Sequence, residues 1–255
     1  MNVIVTSGGT IESIDSVRSI VNTSSGKLGS LIASKFANKD VSVYYVYNGH
    51  TFPSNTNITP ILSPTVNELE IIIKDLLTTK KIHAVIHAMA VSDFKPKSII
   101  NLKRSSQIIS EKIANKSLNK SEIYEITQNA FYESENPLNN SKKISFFSES
   151  NALILANNKK IISIIKELSP KTLLVGFKLM SHVSENDLYN TSFNLLKLNR
   201  ADFVVANDIK NINENMHKAF IIDESGNYEI YKTKKDIANA IVYKVCKLMG
   251  QLITS

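Results

Sequence analysis

The sequence predicts an α/β chain, with a mostly parallel sheet flanked by helices, a long excursion after the third strand and a hairpin near the C-terminus. Three observations carry this. Short apolar runs alternate with segments of helical period. The first run ends in a glycine turn, Thr6-Ser7-Gly8-Gly9, and residues 95–150 break the alternation with many Lys, Asn and Ser.

The predicted strands are Val3–Thr6, Val41–Val46, Ala84–Ala88, Leu173–Phe177 and Phe203–Ala206. Between the first two, Leu28, Leu31, Ile32 and Phe36 repeat at helical spacing and mark one buried face. Ser63-Pro64 reads as the start of the next helix, whose inner face is Val66, Leu69, Ile72, Ile73 and Leu76. Ile161, Ile162, Ile164, Ile165 and Leu168 form a helix ahead of Pro170, and Ser184 with Asp187 opens another. Ala219–Asp223 and Tyr228–Tyr231 pair as the hairpin, and Ile237, Ile241, Val245 and Leu248 line a closing helix. Residues 1–255 read as a single domain, with 95–150 a flap or dimerisation excursion within it.

A net charge of +7 and a pI near 9.2 suit an anionic partner. The sequence has no zinc-finger spacing and no aromatic–basic RNA motif, which favours a small phosphorylated ligand over nucleic acid. Cys246 is the single cysteine, so no intramolecular disulfide forms and a reducing compartment is expected. No run of about 18 apolar residues is present, so no membrane span is expected and cytoplasm is the expected location.

The stretch "TSGGTIESIDSVRSIVNTSSGKLG", Thr6 to Gly29, is the chemically informative one. A strand, a glycine turn and a helix start can bring backbone N–H groups and a helix dipole to a phosphate. Two familiar motifs fail here. Val21 stands where a P-loop needs its first glycine, and neither Gly8-Gly9 nor Gly26 to Gly29 has the spacing of a dinucleotide fingerprint. On local pattern alone these glycines equally suit ordinary tight turns, Asn22 a cap or turn, Asp93 a strand-ending turn and Phe177 core. His83 and His87 lie four apart on a predicted strand with no third ligand in view, and read as structural; no metal site is assigned.

The Thr6–Gly29 stretch resembles the signature of phosphopantothenate–cysteine ligases, in which a GGT turn is followed by D-x-V-R-x-I-x-N-x-S-S-G-K-x-G. Three further matches follow in order: "AMAVSDF" (Ala88–Phe94), "VGFKL" (Val175–Leu179) and "ADFVVAND" (Ala201–Asp208). The resemblance implies a Rossmann-like fold and a ligase joining 4′-phosphopantothenate to L-cysteine in coenzyme A biosynthesis. It further implies an acyl-nucleotidyl intermediate, acyl-cytidylate from CTP, with ATP as the other nucleotide, release of pyrophosphate and Mg²⁺ carried by the phosphates.

By the same resemblance Gly8, Ser24, Gly26 and Gly29 line the nucleotide phosphates, and Asp93, Phe177 and Asn207 border the nucleotide. Asn22 holds the acyl group and its activated form. Lys143, with Lys142 as rival, is the loop lysine that stabilises charge on the reacting phosphate. The chain departs from the family pattern at Leu195 and Asn199, where lysines are common, and at Lys159-Lys160, where Pro-Asp is common. The first strand starts at Val3, so no flavin-dependent decarboxylase half and no flavin are expected, and family members imply a homodimer. The other reading kept open is a non-catalytic nucleotide-binding regulatory module of the same fold.

Overall fold

The structure is a computed structural model that describes residues 1–39, 41–49, 51–53, 55–138, 150–214 and 216–254. Its elements, in chain order, are β1 (Asn2–Gly8), β2 (Ile11–Ser13), β3 (Ser19–Val21), α1 (Lys27–Ala37), β4 (Ser42–Asn48), β5 (Ile58–Leu62), α2 (Val66–Thr79), β6 (Ala84–His87) and β7 (Phe94–Asn101). There follow α3 (Leu102–Ile113), α4 (Lys120–Glu133), β8 (Glu135–Pro137), β9 (Asn151–Asn157), α5 (Ile161–Leu168), β10 (Leu173–Met180), α6 (Glu185–Asn199), β11 (Phe203–Ile212), β12 (His217–Asp223), β13 (Tyr228–Tyr231) and α7 (Lys234–Thr254). By its internal contacts the chain resolves into two compact units: 1–10, 22–91 and 160–255 make the first, 11–21 and 92–159 the second.

The first unit is built on an eight-stranded sheet in the order β13-β12-β11-β10-β6-β1-β4-β5. The six strands from β11 to β5 are parallel, and their order by chain position is 3-2-1-4-5-6, the doubly wound Rossmann arrangement. Val5 stands opposite Tyr45 on one side and Ile86 on the other. β12 and β13 extend the sheet antiparallel, as the predicted hairpin does.

Alternation along each strand sends apolar residues to both faces, which is why these strands read as continuous apolar runs. Val3, Val5, Ile86, Val175 and Val205 pack beneath α1 and α7 through Ile32, Phe36, Ile237, Ile241 and Val245. Ile4, Val85, Leu174 and Val204 pack on the other face against α2, α5 and α6 through Leu69, Ile73, Ile165 and Leu196.

Two local readings are corrected. The α2 start lies at Thr65, not at Ser63-Pro64: Thr65 Oγ1 accepts from the Glu68 amide at 3.2 Å while the Thr65 amide donates to Glu68 Oε2 at 3.0 Å, a complete capping box. β5 is a strand that the sequence reading missed, because Pro60 lowers its strand signal. As the outer strand of the sheet, β5 leaves one side unpaired, the setting in which proline is tolerated. Ser184 does cap α6, accepting from the Asp187 amide at 3.0 Å.

The second unit holds the antiparallel β2–β3 pair and a three-stranded sheet, β8-β7-β9, also antiparallel. The β2–β3 turn is closed by the Asp15 carboxylate, which accepts from the amides of Val17 at 2.9 Å and Arg18 at 2.8 Å. α3 and α4 are capped by Asn101 and Asn119, the second with Glu122 completing a capping box. Among the described residues no helix is long and apolar enough to cross a membrane.

Candidate functional site

In a doubly wound sheet, ligands bind beyond the carboxyl ends of the strands where the winding reverses. Here that point lies between β1 and β6, where the Thr6–Gly29 stretch leaves and re-enters the first unit.

The chain leaves β1 through Gly8 at φ +89°, a backbone state that suits glycine. A Cβ on Gly8 would lie 1.6 Å from the Asn48 carbonyl oxygen, and one on Gly9 would lie 1.8 Å from the Asn22 carbonyl oxygen. Gly29 is pressed against Ser7, whose Oγ a Cβ would approach to 2.5 Å, and Ser7 Oγ donates to the Gly26 carbonyl at 2.9 Å. Gly8, Gly26 and Gly29 therefore lie together around Ser7. The space that their missing side chains leave is occupied by protein atoms, so packing alone accounts for these glycines.

What the arrangement offers an anion is the start of α1. Gly26 is its N-cap in the left-handed region, with no side-chain cap, and no acidic residue stands in the first turn. The amides of Lys27, Leu28 and Gly29 precede the reach of intrahelical carbonyls, and Lys27 adds positive charge. Ser24 and Ser25 are exposed and accept from the Gly26 and Lys27 amides at 3.4 Å each, a length at which both hydroxyls are weakly committed.

Asn22 is half-buried where the chain returns from the second unit, and its amide donates to the Thr10 carbonyl at 3.1 Å. Thr10 in turn donates to the Ala90 carbonyl at 3.0 Å, and the Ala90 amide donates to the Gly8 carbonyl at 2.8 Å. Asn48 Nδ2 closes the group by donating to the Gly9 carbonyl at 2.6 Å.

Phe177 and Asn207 lie midway along β10 and β11, two and three strands from β1, or roughly 10 and 14 Å at ordinary strand spacing. Phe177 is half-buried and packs on the α1/α7 face. The Asn207 amide nitrogen lies 3.3 Å from His217 Nε2, and His217 Nδ1 is buried with no hydrogen-bond partner among the described residues. Asp93 lies in the second unit, exposed, with its carbonyl accepting from the Asn158 amide at 2.8 Å. Lys142 and Lys143 lie outside the described residues.

Leu195 and Asn199, the two expected lysine positions, take other work: Asn199 is buried and its Nδ2 donates to the Leu195 carbonyl at 2.8 Å. Lys197 stands 4.3 Å from the centroid of the Phe193 ring.

Sequence reading missed Thr6, Ser7 and Asp208. Burial would push the Asp208 carboxyl up, but the amides of Lys210, His182 and Val183 and the Lys210 side chain outweigh it and hold the group well below the usual carboxylate range. It thereby fixes the turn after β10, where His182 has φ 55°. The signal for Thr6 and Ser7 was available, since two adjacent hydroxyls on a fully buried strand must face opposite sides and find partners.

The fold and the switch-point geometry define a Rossmann-like α/β protein with an anion-receptive helix start at its crevice. The chain belongs to the DNA/pantothenate metabolism flavoprotein C-terminal domain family, which it matches over residues 1–128 and 130–249. It is 28% identical over 248 residues to the coenzyme A biosynthesis bifunctional protein CoaBC of Thermococcus kodakarensis, covering 97% of this chain and 51% of that protein. The chain thus spans about half the length of the curated relatives that it matches. Among solved structures, a DNA/pantothenate metabolism flavoprotein from Streptococcus pneumoniae superposes with a TM-score of 0.79 at 29% identity, covering 97% of this chain and 99% of that one. A Cab2 H337A mutant in complex with phosphopantothenate-cysteine shares the fold, with a TM-score of 0.65 at 15% identity over 99% of this chain and 87% of that one.

Two outcomes follow from this geometry. Gly8→Ala combines a disfavoured φ with a clash against backbone, and a loss of at least about 2 kcal/mol in denaturant unfolding is expected; unchanged stability would refute the packing account. Burial lowers both His87 and His217 to about 4 from an ordinary 6.5, with Lys234 adding to the effect at His217. Because the folded values are depressed, the unfolded chain takes up protons first. Stability is therefore complete above pH 6.5 and is lost as pH falls towards 4, by about 3 kcal/mol for each histidine. Unfolding curves measured from pH 7 to 4 check this, and His87→Asn should flatten the slope.

Proposed function

We propose that the chain is a phosphopantothenate–cysteine ligase of coenzyme A biosynthesis. The observation that carries the reading is Asn22, seated on the Gly9–Thr10 backbone at the switch point beside the uncapped start of α1. It is supported by family membership and by a fold neighbour that binds phosphopantothenate-cysteine.

In the proposed reaction the carboxylate of 4′-phosphopantothenate attacks the α-phosphorus of CTP. An acyl–oxygen–phosphorus bond forms and pyrophosphate leaves. The amine of L-cysteine then attacks the acyl carbon, an amide bond forms, CMP departs and the amine proton is released. ATP is the alternative nucleotide.

The α1 amides and Ser24 would hold phosphate oxygens, which could carry Mg²⁺ without a protein ligand cage. The Asn22 side-chain amide would hold the acyl oxygen, where negative charge develops as the cysteine amine adds to the acyl carbon. The roles proposed for Asp93, Phe177, Asn207 and Lys143 at the nucleotide rest on motif resemblance. The enzyme is proposed to act in the cytoplasm, without flavin, as a homodimer; a monomeric mass by light scattering would refute the dimer.

Pyrophosphate release is expected from purified protein given phosphopantothenate, cysteine and CTP or ATP. Release with neither nucleotide, while binding persists, would favour the non-catalytic module. Asn22→Ala is expected to lower kcat on the order of 100-fold with the melting curve little changed, and full activity would remove Asn22 from the site.

A further inference from the structure

His87 ends β6 at the switch point, buried, and the reaction scheme above gives it no task. Its Nδ1 lies 3.1 Å from Thr6 Oγ1, which also accepts from the Met89 amide at 3.1 Å. Thr6 Oγ1 thus bridges the Met89 amide and His87 Nδ1; where Nδ1 is the acceptor, the Thr6 hydroxyl donates to it and the imidazole proton sits on Nε2. This hydrogen-bonded corner fixes the turn that follows β6. The turn is stapled in both directions to the end of β1, through Ala90 N to Gly8 O at 2.8 Å and Thr10 N to Ala90 O at 3.0 Å. Asn22 is the next link, its amide on the Thr10 carbonyl and its own carbonyl packed where a Gly9 side chain would be.

We infer that His87 is a positioning residue: through Thr6 it fixes the turn at 88–90, and through that turn the Gly8–Thr10 backbone on which Asn22 rests. The inference builds on the ligase reading for its kinetic consequence and stands on geometry for its structural one. His87 touches no reacting atom in this scheme. Its effect reaches the chemistry only by keeping the Asn22 backbone, and with it the side-chain amide, in place, where small displacements are costly.

The geometry also separates the pair's contribution from general packing. Thr6→Val keeps the shape of the side chain and removes only the hydroxyl, leaving Met89 N–H and His87 Nδ1 without partners. Thr6→Ser restores the hydroxyl. His87→Asn places an acceptor near the position of Nδ1, whereas His87→Leu removes it.

The test uses the full chain, labelled with ¹⁵N, as wild type and these four variants. Imidazole ¹⁵N signals at pH 7 are expected to show a protonated Nε2 and an accepting Nδ1. The Asn22 amide is expected to shift and to lose exchange protection in Thr6→Val and His87→Leu, and to recover in Thr6→Ser and His87→Asn. In pyrophosphate-release assays, Thr6→Val should lower kcat on the order of 10- to 100-fold with KM changed less than about threefold, and Thr6→Ser should return most of it. An unshifted Asn22 amide in both Thr6→Val and His87→Leu would overturn the inference, as would Thr6→Ser behaving like Thr6→Val. If the wild type releases no pyrophosphate, the ligase reading fails, and the Asn22 amide comparison alone then decides the positioning role.

Discussion

Two adjacent hydroxyls on a strand buried on both faces hold the crevice end of this molecule together. Thr6 and Ser7 are essentially inaccessible to solvent, and the period of two along β1 turns them to opposite faces. Ser7 reaches the α1 side and ties Gly26, while Thr6 reaches the other side and ties His87 and Met89. Hydroxyls buried this deeply are costly if unpaired, so each must be matched by a partner at a fixed distance. The end of β1 is thereby pinned to both of the structures that flank the crevice, and the backbone beyond it has little freedom. Gly8 and Gly9 then follow as a steric consequence, since the neighbouring Asn48 and Asn22 carbonyls occupy the positions of their side chains.

This changes what the glycines mean. From sequence, a position that tolerates no Cβ looks the same whether a ligand or the protein itself fills the space. Here the protein fills it, and what the crevice offers an anion has a different source: the first-turn amides and dipole of α1, with no acidic neighbour and no side-chain cap from Gly26. A helix start of 11 residues beside Lys27 gives a modest electrostatic contribution by itself. Pre-organisation of those amides by the Ser7–Gly26 bond removes the ordering cost that a loose loop would incur.

Most of the first unit was legible because its driving force is local and periodic. Each buried parallel strand is a short apolar run, and each helix carries a stripe for one face of the sheet. The exceptions have physical reasons. β5 carries Pro60 and exposes much of its surface as an outer strand, so neither composition nor burial marks it. The α2 cap at Thr65 competes with Ser63 and Pro64, both plausible starts, and the reciprocal bond to Glu68 decides it. In the second unit α3 and α4 bury little beyond Ser105 and Ala130, and residues 11–21 join 92–159 through contacts distant in sequence, which no periodicity encodes. Asn22 and Gly8 stood out as candidate site residues only through motif resemblance, since their partners, Thr10 and Asn48, are set by tertiary structure.

The rim of the sheet repeats one device from strand to strand. At three neighbouring pairs a polar side chain on one strand holds the backbone or side chain of the next: Thr6 with His87 and Met89 between β1 and β6, Asp208 with the turn after β10, Asn207 with His217 between β11 and β12. The three differ in how fully they are satisfied. Thr6 and Asp208 have matched partners, and the Asp208 carboxylate meets three backbone amides. Among the described residues His217 has one buried nitrogen without a partner, and on those contacts its pair is the least stabilised of the three. A rim built this way favours rigidity close to β1, where Asn22 rests, and so holds the backbone where small displacements would matter most for the proposed chemistry.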